Sequence, residues 1–167
     1  MIYVLRRVQL IRKPREYVFK FFEDPENLGR ITPASLSFNM LTPRPISMHA
    51  GTVLDYTIRL FGCPVRWTTL IADYDPPNHF SDVAITSPYR FWHHTHTFVS
   101  RPEGTEMIDE VHYSLPGGPL GRLAHALWVK RQLKSIFDFR AAQVAQLFQA
   151  GTPPDPGGHQ RASGTQR

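Results

Sequence analysis

The chain has 167 residues and a mass of 19.1 kDa, with 41% hydrophobic, 12% aromatic and 20% charged residues; that suits one domain with a real core and leaves too little for a second of ordinary size. The net charge is +5 and the pI near 9.7, but the basic residues are scattered and none forms a run joined to a nucleic-acid motif, so a solvated basic surface is expected rather than specific nucleic-acid recognition. No apolar run approaches the ~20 residues of a membrane span, the Arg6-Arg7 pair follows the apolar N-terminal residues in the reverse of signal-peptide order, and the single cysteine, Cys63, excludes an internal disulfide and a cysteine-rich zinc site. A cytoplasmic location is expected.

Residues 2–11, rich in Val, Ile and Leu, predict a first strand. Pro14 suits the first turn of a helix, and Tyr17, Val18, Phe21 and Phe22 then share one apolar stripe. Asp24-Pro25 reads as an N-cap followed by proline at N1, opening a short second helix through Leu28 and Ile31 that Thr32-Pro33 ends. From Leu36 to Leu115 the period changes to two. Six strands are expected at 35–41, 52–61, 64–73, 79–86, 89–100 and 105–115, separated by Gly- and Pro-containing turns. After Pro116-Gly117-Gly118-Pro119 a long helix runs to Ala150, with a stripe of Leu123, Leu127, Leu133, Ile136, Phe137, Val144, Leu147 and Phe148. The stretch 150–167, dense in Pro and Gly and nearly devoid of apolar residues, is expected to be a disordered tail behind a domain at 1–149. Helices segregated from an antiparallel sheet make an α+β fold. A curved seven-stranded sheet around one long helix explains the order βααββββββα and leaves a space between them.

Hairpin parity tells which side chains face that space. A two-residue loop at Glu103-Gly104 sets Phe98 against Asp109, His96 against Val111, His94 against Tyr113 and Trp92 against Leu115. Alternation then puts all of these on one face. A loop at Gly62-Cys63 likewise sets Ile58 by Trp67, Tyr56 by Thr69 and Leu54 by Ile71. Both hairpins give a mostly apolar inner face, and a one-residue slip would spoil both.

The unusual inner residues are Tyr56, Trp67, Thr69, Trp92, His94, His96, Asp109 and Tyr113. With Phe98 and Val111 from the same face they are the candidate ligand-binding set. A buried Asp109 needs a partner; His96 on the diagonal, or Arg140 from the inner helical stripe, can supply one. Aromatic walls with a few convergent polar groups describe a small-molecule pocket, so Arg140 joins the set.

This order of elements, with Val18-Phe19-Lys20-Phe21-Phe22, Pro25-Glu26-Asn27-Leu28, Pro64-Val65-Arg66-Trp67, Trp92-His93-His94-Thr95-His96, Asp109-Glu110-Val111, Leu115-Pro116-Gly117-Gly118 and Ile136-Phe137-Asp138-Phe139-Arg140, resembles the START-like, helix-grip superfamily called SRPBCC. That group includes polyketide cyclases, coenzyme-Q-binding START proteins, lipid-transfer proteins and pollen-allergen-type binders. The chain is most similar to a bacterial ligand-binding subfamily sometimes labelled cell-division inhibitors. The resemblance covers about residues 1–149 and implies an internal pocket; it implies no agreed reaction, and no residue here supports the cell-division label. Some relatives carry an epimerase-like domain; none is expected within these 167 residues.

The leading expectation is binding, with transport as a corollary, of a hydrophobic or amphipathic small molecule: a lipid, a quinone or a polyketide-like aromatic. No cofactor is expected. His94, His96 and Asp109 are also the candidates for acid–base chemistry in a cofactor-independent cyclase, dehydratase or hydrolase. The same three residues match a two-histidine, one-carboxylate metal set; a hydrogen-bonded polar patch is the plainer reading, and metal is not expected. A third reading is an interaction module serving an epimerase-like partner or a membrane surface.

Overall fold

The computed structural model describes residues 1–60 and 62–149, so the predicted tail lies outside the described residues. The first strand, β1 (Tyr3–Ile11), alternates as its sequence requires: Tyr3, Leu5, Arg7 and Gln9 lean inward, while Val4, Val8 and Leu10 stay exposed. Pro14 then sets up α1 (Arg15–Phe22), which buries Val18, Phe19, Phe21 and Phe22. The next segment is a 3-10 helix, Pro25–Ile31. Asp24 caps it by accepting the Glu26 amide at 2.9 Å, the use expected of a short acid before proline.

A second 3-10 turn, Ala34–Leu36, occupies part of the span expected to be a strand, and only β2 (Asn39–Met40) pairs there. Five long strands follow: β3 (Val53–Leu60), β4 (Cys63–Asp75), β5 (His79–Thr86), β6 (Phe91–Arg101) and β7 (Gly104–Ser114). All pairings are antiparallel, in the spatial order β1-β7-β6-β5-β4-β3-β2. The fold is α+β, a curved seven-stranded sheet against a long C-terminal helix.

Both hairpin registers sit two residues from the pairing read off the sequence. Leu60 pairs with Cys63, and Arg101 pairs with Gly104, so that His96 lies opposite Asp109 and Phe98 opposite Met107. The faces are unchanged, because strand side chains repeat every two residues. Backbone geometry explains the second shift. Gly104 has φ +141°, and a Cβ there would run into the Ile11 carbonyl oxygen. It therefore serves as the first paired residue of β7, pressed against the end of β1, and the two-residue loop falls at 102–103.

Helical structure after Gly117-Gly118 comes in three parts. α2 (Gly118–Ala124) passes through a π-helical turn at His125–Val129 into α3 (Lys130–Gln149). The wider turn rotates the face that meets the sheet. Leu133, Phe137, Val144 and Phe148 are buried as expected, but Leu123 and Leu127 are 56% and 45% exposed. Around the π turn the sheet is met by His125, stacked on Tyr3 at 3.5 Å and hydrogen-bonded to the Tyr113 hydroxyl at 2.9 Å. Further along, Asp138 pairs with Arg7 at 2.9 Å, and Gln9 donates to the Ala141 carbonyl at 2.9 Å. These ties hold α3 to β1.

The core divides in two. One part joins α1 to the far end of α3 through Phe19, Phe21, Phe80, Phe98, Val144 and Phe148. The other joins the middle of α3 to the sheet through Trp67, Trp92, Val111, Tyr113, Leu133 and Phe137. Each buried ring of this kind is worth roughly 1.5–3 kcal/mol over its exposed state, so the two ends clamp the helix firmly. Between them a cavity remains.

Candidate functional site

The cavity has a volume of about 170 Å³. Its apolar wall is built by inward positions of β3 and β4 (Leu54, Ile58, Trp67, Ile71), by Trp92 of β6, and by Leu133 and Phe137 of α3. Trp67 stacks on Tyr56 and meets Trp92 edge-on at 5.2 Å, and its indole nitrogen donates to the Thr69 hydroxyl at 3.1 Å. Phe38, Met48, Leu60 and Gln132 also line it and keep some contact with solvent.

Its polar patch comes from three adjacent strands. In the β5–β6 ladder Asp82 lies opposite His94; in the β6–β7 ladder His96 lies opposite Asp109. Alternation turns all four side chains inward, and the two imidazoles sit between two carboxylates. His94 and His96 are each 5% exposed, with ring centroids 3.9 Å apart. On the β7 side, Oδ1 of Asp109 lies 3.1 Å from Nε2 of His94 and 2.7 Å from Nδ1 of His96. The first contact is a well-directed hydrogen bond; the second is close but bent away from hydrogen-bond geometry. On the β5 side, Oδ2 of Asp82 lies 3.6 Å from Nδ1 of His94 and 3.9 Å from Nε2 of His96.

Burial pushes the His94 imidazolium form out of favour, and the neighbouring His96 ring adds to this; together they outweigh the Asp109 hydrogen bond and hold the pKa at about 3. His94 is therefore neutral at pH 7. Burial pushes the Asp82 carboxyl up to about 6, against the pull of His96 and Arg140. Burial acts on Asp109 in the same direction but is overcome by the two rings beside it, which hold the carboxyl well below the usual range. Tyr56 is raised, chiefly by burial and then by Asp82. Three groups of one patch thus differ sharply in charge preference, which is common where a protein handles a polar ligand.

Of the residues singled out from sequence, Tyr56, Trp67, Thr69, Trp92, His94, His96 and Arg140 line this cavity. Phe98, Asp109, Val111 and Tyr113 face inward but stand behind its wall: Phe98 packs on Phe19 and Phe22, Val111 is fully buried, and Tyr113 is engaged with His125. Asp109 borders a smaller void of about 30 Å³ beside Arg7, Gln9 and Arg140. The Arg140 guanidinium lies 5.1 Å from the Phe137 ring centroid, and its buried Nε has no hydrogen-bond partner among the described residues. Sequence reasoning missed Asp82. The signal was present in β5, where Phe80, Asp82 and Ala84 share one parity, an acid aligned with apolar residues.

No protein-family model matches the sequence, and no curated protein matches it in sequence. Solved structures do match in three dimensions. TTHA0849 from Thermus thermophilus superposes with a TM-score of 0.72 at 19% identity, covering 90% of this chain and 99% of that one. Norcoclaurine synthase of Thalictrum flavum, solved with a transition-state analogue, gives 0.63 at 12% identity over 90% and 96%. The di-domain ARO/CYC StfQ of the steffimycin biosynthetic pathway gives 0.69 at 9% identity, over 89% of this chain and 51% of that one. The chain shares the fold of these structures, a helix grip. In a helix grip the sheet bends around the terminal helix, and here the room between them is the cavity just described. Among the described residues no helix is long and apolar enough to cross a membrane.

Proposed function

We propose that the protein binds a small aromatic or amphipathic molecule in the helix-grip cavity, its ring against Trp67, Trp92 and Leu133 and its polar end on Asp82, His94 and His96. One observation carries this reading: an apolar cavity in which the buried ionisable groups Asp82, His94 and His96 are gathered on one patch, while the other buried polar lining residues, Asn27 and Thr69, are hydrogen-bonded to Phe21 and Trp67 in the wall. Apolar walls supply affinity at roughly 25 cal/mol per Å² buried, and the convergent polar groups set orientation. Size narrows the ligand class. A void of roughly 150 Å³ accommodates one benzene ring, so about 170 Å³ suits a quinone-like or polyketide-like ring better than a long acyl chain.

The test is native mass spectrometry of the purified full chain, followed by titration with naphthoquinones, hydroxylated aromatics and fatty acids. Quenching of tryptophan fluorescence reports binding, with Trp128, exposed on the π turn, replaced by Phe to isolate Trp67 and Trp92. Saturable quenching by the ring compounds and none by the fatty acids is the expected result. No bound mass and no saturable quenching by any of them would sink the reading.

A second reading, acid–base chemistry on the same guest, is favoured by the way Asp109 holds Nε2 of His94 while the opposite nitrogen of that cavity-lining ring lies 3.6 Å from Asp82. It requires that His94→Gln stop turnover of a ring compound at concentrations where the variant is shown by fluorescence to be saturated with it. Equal turnover in the variant would remove it.

A further inference from the structure

The tautomers of the two imidazoles can be read from their contacts. An ionised carboxylate only accepts, so His94 Nε2 carries the proton it donates to Asp109 at 3.1 Å. A nitrogen 2.7 Å from the same carboxylate oxygen is tenable only with a proton between them, so His96 Nδ1 is protonated as well, even though the contact is bent. In neutral rings the remaining nitrogens, His94 Nδ1 and His96 Nε2, then carry lone pairs. Both aim at the same place, where Oδ2 of Asp82 lies 3.6 and 3.9 Å away. With Asp82 ionised, three acceptors converge there, and among the described residues no other side chain donates a hydrogen bond to them.

Converging lone pairs repel unless a shared proton or a metal cation joins them, and a metal cation joins all three at once. We propose that Asp82, His94 and His96 form a binding site for a divalent transition-metal ion, with Asp109 as the outer carboxylate that orients both imidazoles.

Three observations beyond the residue types support it. The ligating atoms of the three side chains lie within 4.8 Å of one another. Metal–ligand bonds of about 2.0–2.2 Å in a tetrahedral site put ligand atoms about 3.4 Å apart, so the 3.6 and 3.9 Å separations need to shrink by half an ångström or less. Metal-binding histidines generally donate their other ring nitrogen to a carboxylate that fixes tautomer and orientation; here one oxygen of Asp109 accepts from His94 and lies 2.7 Å from Nδ1 of His96. The remaining coordination positions face the cavity, open to an oxygen of a guest. Two imidazoles and one carboxylate with open positions suit iron(II), cobalt(II) or zinc(II) rather than magnesium or calcium. The site does not depend on the cavity taking an aromatic guest.

The experiment uses the chelator-treated full chain titrated with cobalt(II), followed by visible absorption and calorimetry. One equivalent binding with a saturating visible band is expected. Asp82→Asn and His96→Gln abolish the band, and Asp109→Asn, which leaves all three ligating side chains in place, weakens binding on the order of 10–100-fold. His79→Asn removes the exposed cluster of His79 with Asp73 and Asp75 and leaves the band unchanged. X-ray absorption on the wild-type complex counts the bound imidazoles without any substitution, and two are expected. No saturable one-equivalent band, a band that survives Asp82→Asn or is lost with His79→Asn, or an imidazole count other than two would overturn the assignment. Failure of ring compounds to quench tryptophan would leave it standing, so the two proposals fail separately.

Discussion

Oδ1 of Asp109 accepts a hydrogen bond from Nε2 of His94 at 3.1 Å, although the strand ladder sets Asp109 opposite His96. The diagonal reach lets one buried oxygen serve both rings, and it makes Asp109 the residue on which the patch turns. Asp109→Ala leaves the His94 ring N–H buried without its acceptor, at about 1–3 kcal/mol, and takes the carboxylate from beside His96. A loss of about 1–3 kcal/mol in urea unfolding, measured in chelator, is expected on that basis. A loss under about 0.5 kcal/mol, the range of an ordinary surface substitution, would show that the rings find other partners.

The contact of His125 with Tyr113 and Tyr3 predicts a pH dependence. Burial first, and the charge of Lys130 second, lower the His125 pKa in the fold from about 6.5 in the unfolded chain. Between the two values the unfolded chain binds more protons, so stability rises with pH there. The contribution is complete above about pH 6.5 and is lost as the pH falls toward the folded value. His125→Gln should flatten that part of the profile. Urea midpoints of both proteins at about pH 7.5 and about pH 5, on either side of the unfolded value, provide the check; the wild type should lose more between them, and parallel profiles would refute the assignment.

Gly104 stands where β7 begins against the last residue of β1, with φ +141° and no room for a Cβ beside the Ile11 carbonyl. Gly104→Ala should cost about 2–3 kcal/mol through backbone strain and displacement of the strand end. Thermal unfolding by circular dichroism reads this directly, and a neutral outcome would mean that the hairpin relaxes freely.

Ile136 lines the cavity from α3 and is itself only half-buried. Ile136→Trp should fill much of the void at little cost in stability, because the added ring has space to enter. Binding of ring compounds should fall at least tenfold in the fluorescence titration while cobalt binding persists. Unchanged affinity for the rings would place their site elsewhere.

Much of this fold was legible because its signals are local and periodic. Pro14, Asp24-Pro25 and Gly117-Gly118 mark real element boundaries, and β5 runs over 79–86 as its flanking turns suggest. The misses have equally concrete causes. The segment 35–41 has strand-like composition, but only Asn39 and Met40 find a partner strand. The long helix reads as one stripe, whereas the π turn at His125–Val129 changes its phase, and nothing in a 3.6-residue period announces that. Asp82 went unseen because the β4–β5 pairing carries two irregularities, after Thr68 and after Ile71, so parity cannot be carried across from β4. His94, His96 and Asp109 needed only the clean β6–β7 hairpin.

The two hairpins tolerate a displacement by a pair of residues without exchanging their dry and wet sides. A length change in either loop is thus felt modulo two: adding or removing a dipeptide would keep Trp67, His94 and Asp109 indoors, whereas a single inserted residue would turn Arg66, His93 and Glu110 toward the helix instead. Laboratory remodelling of these loops has a simple arithmetic to respect.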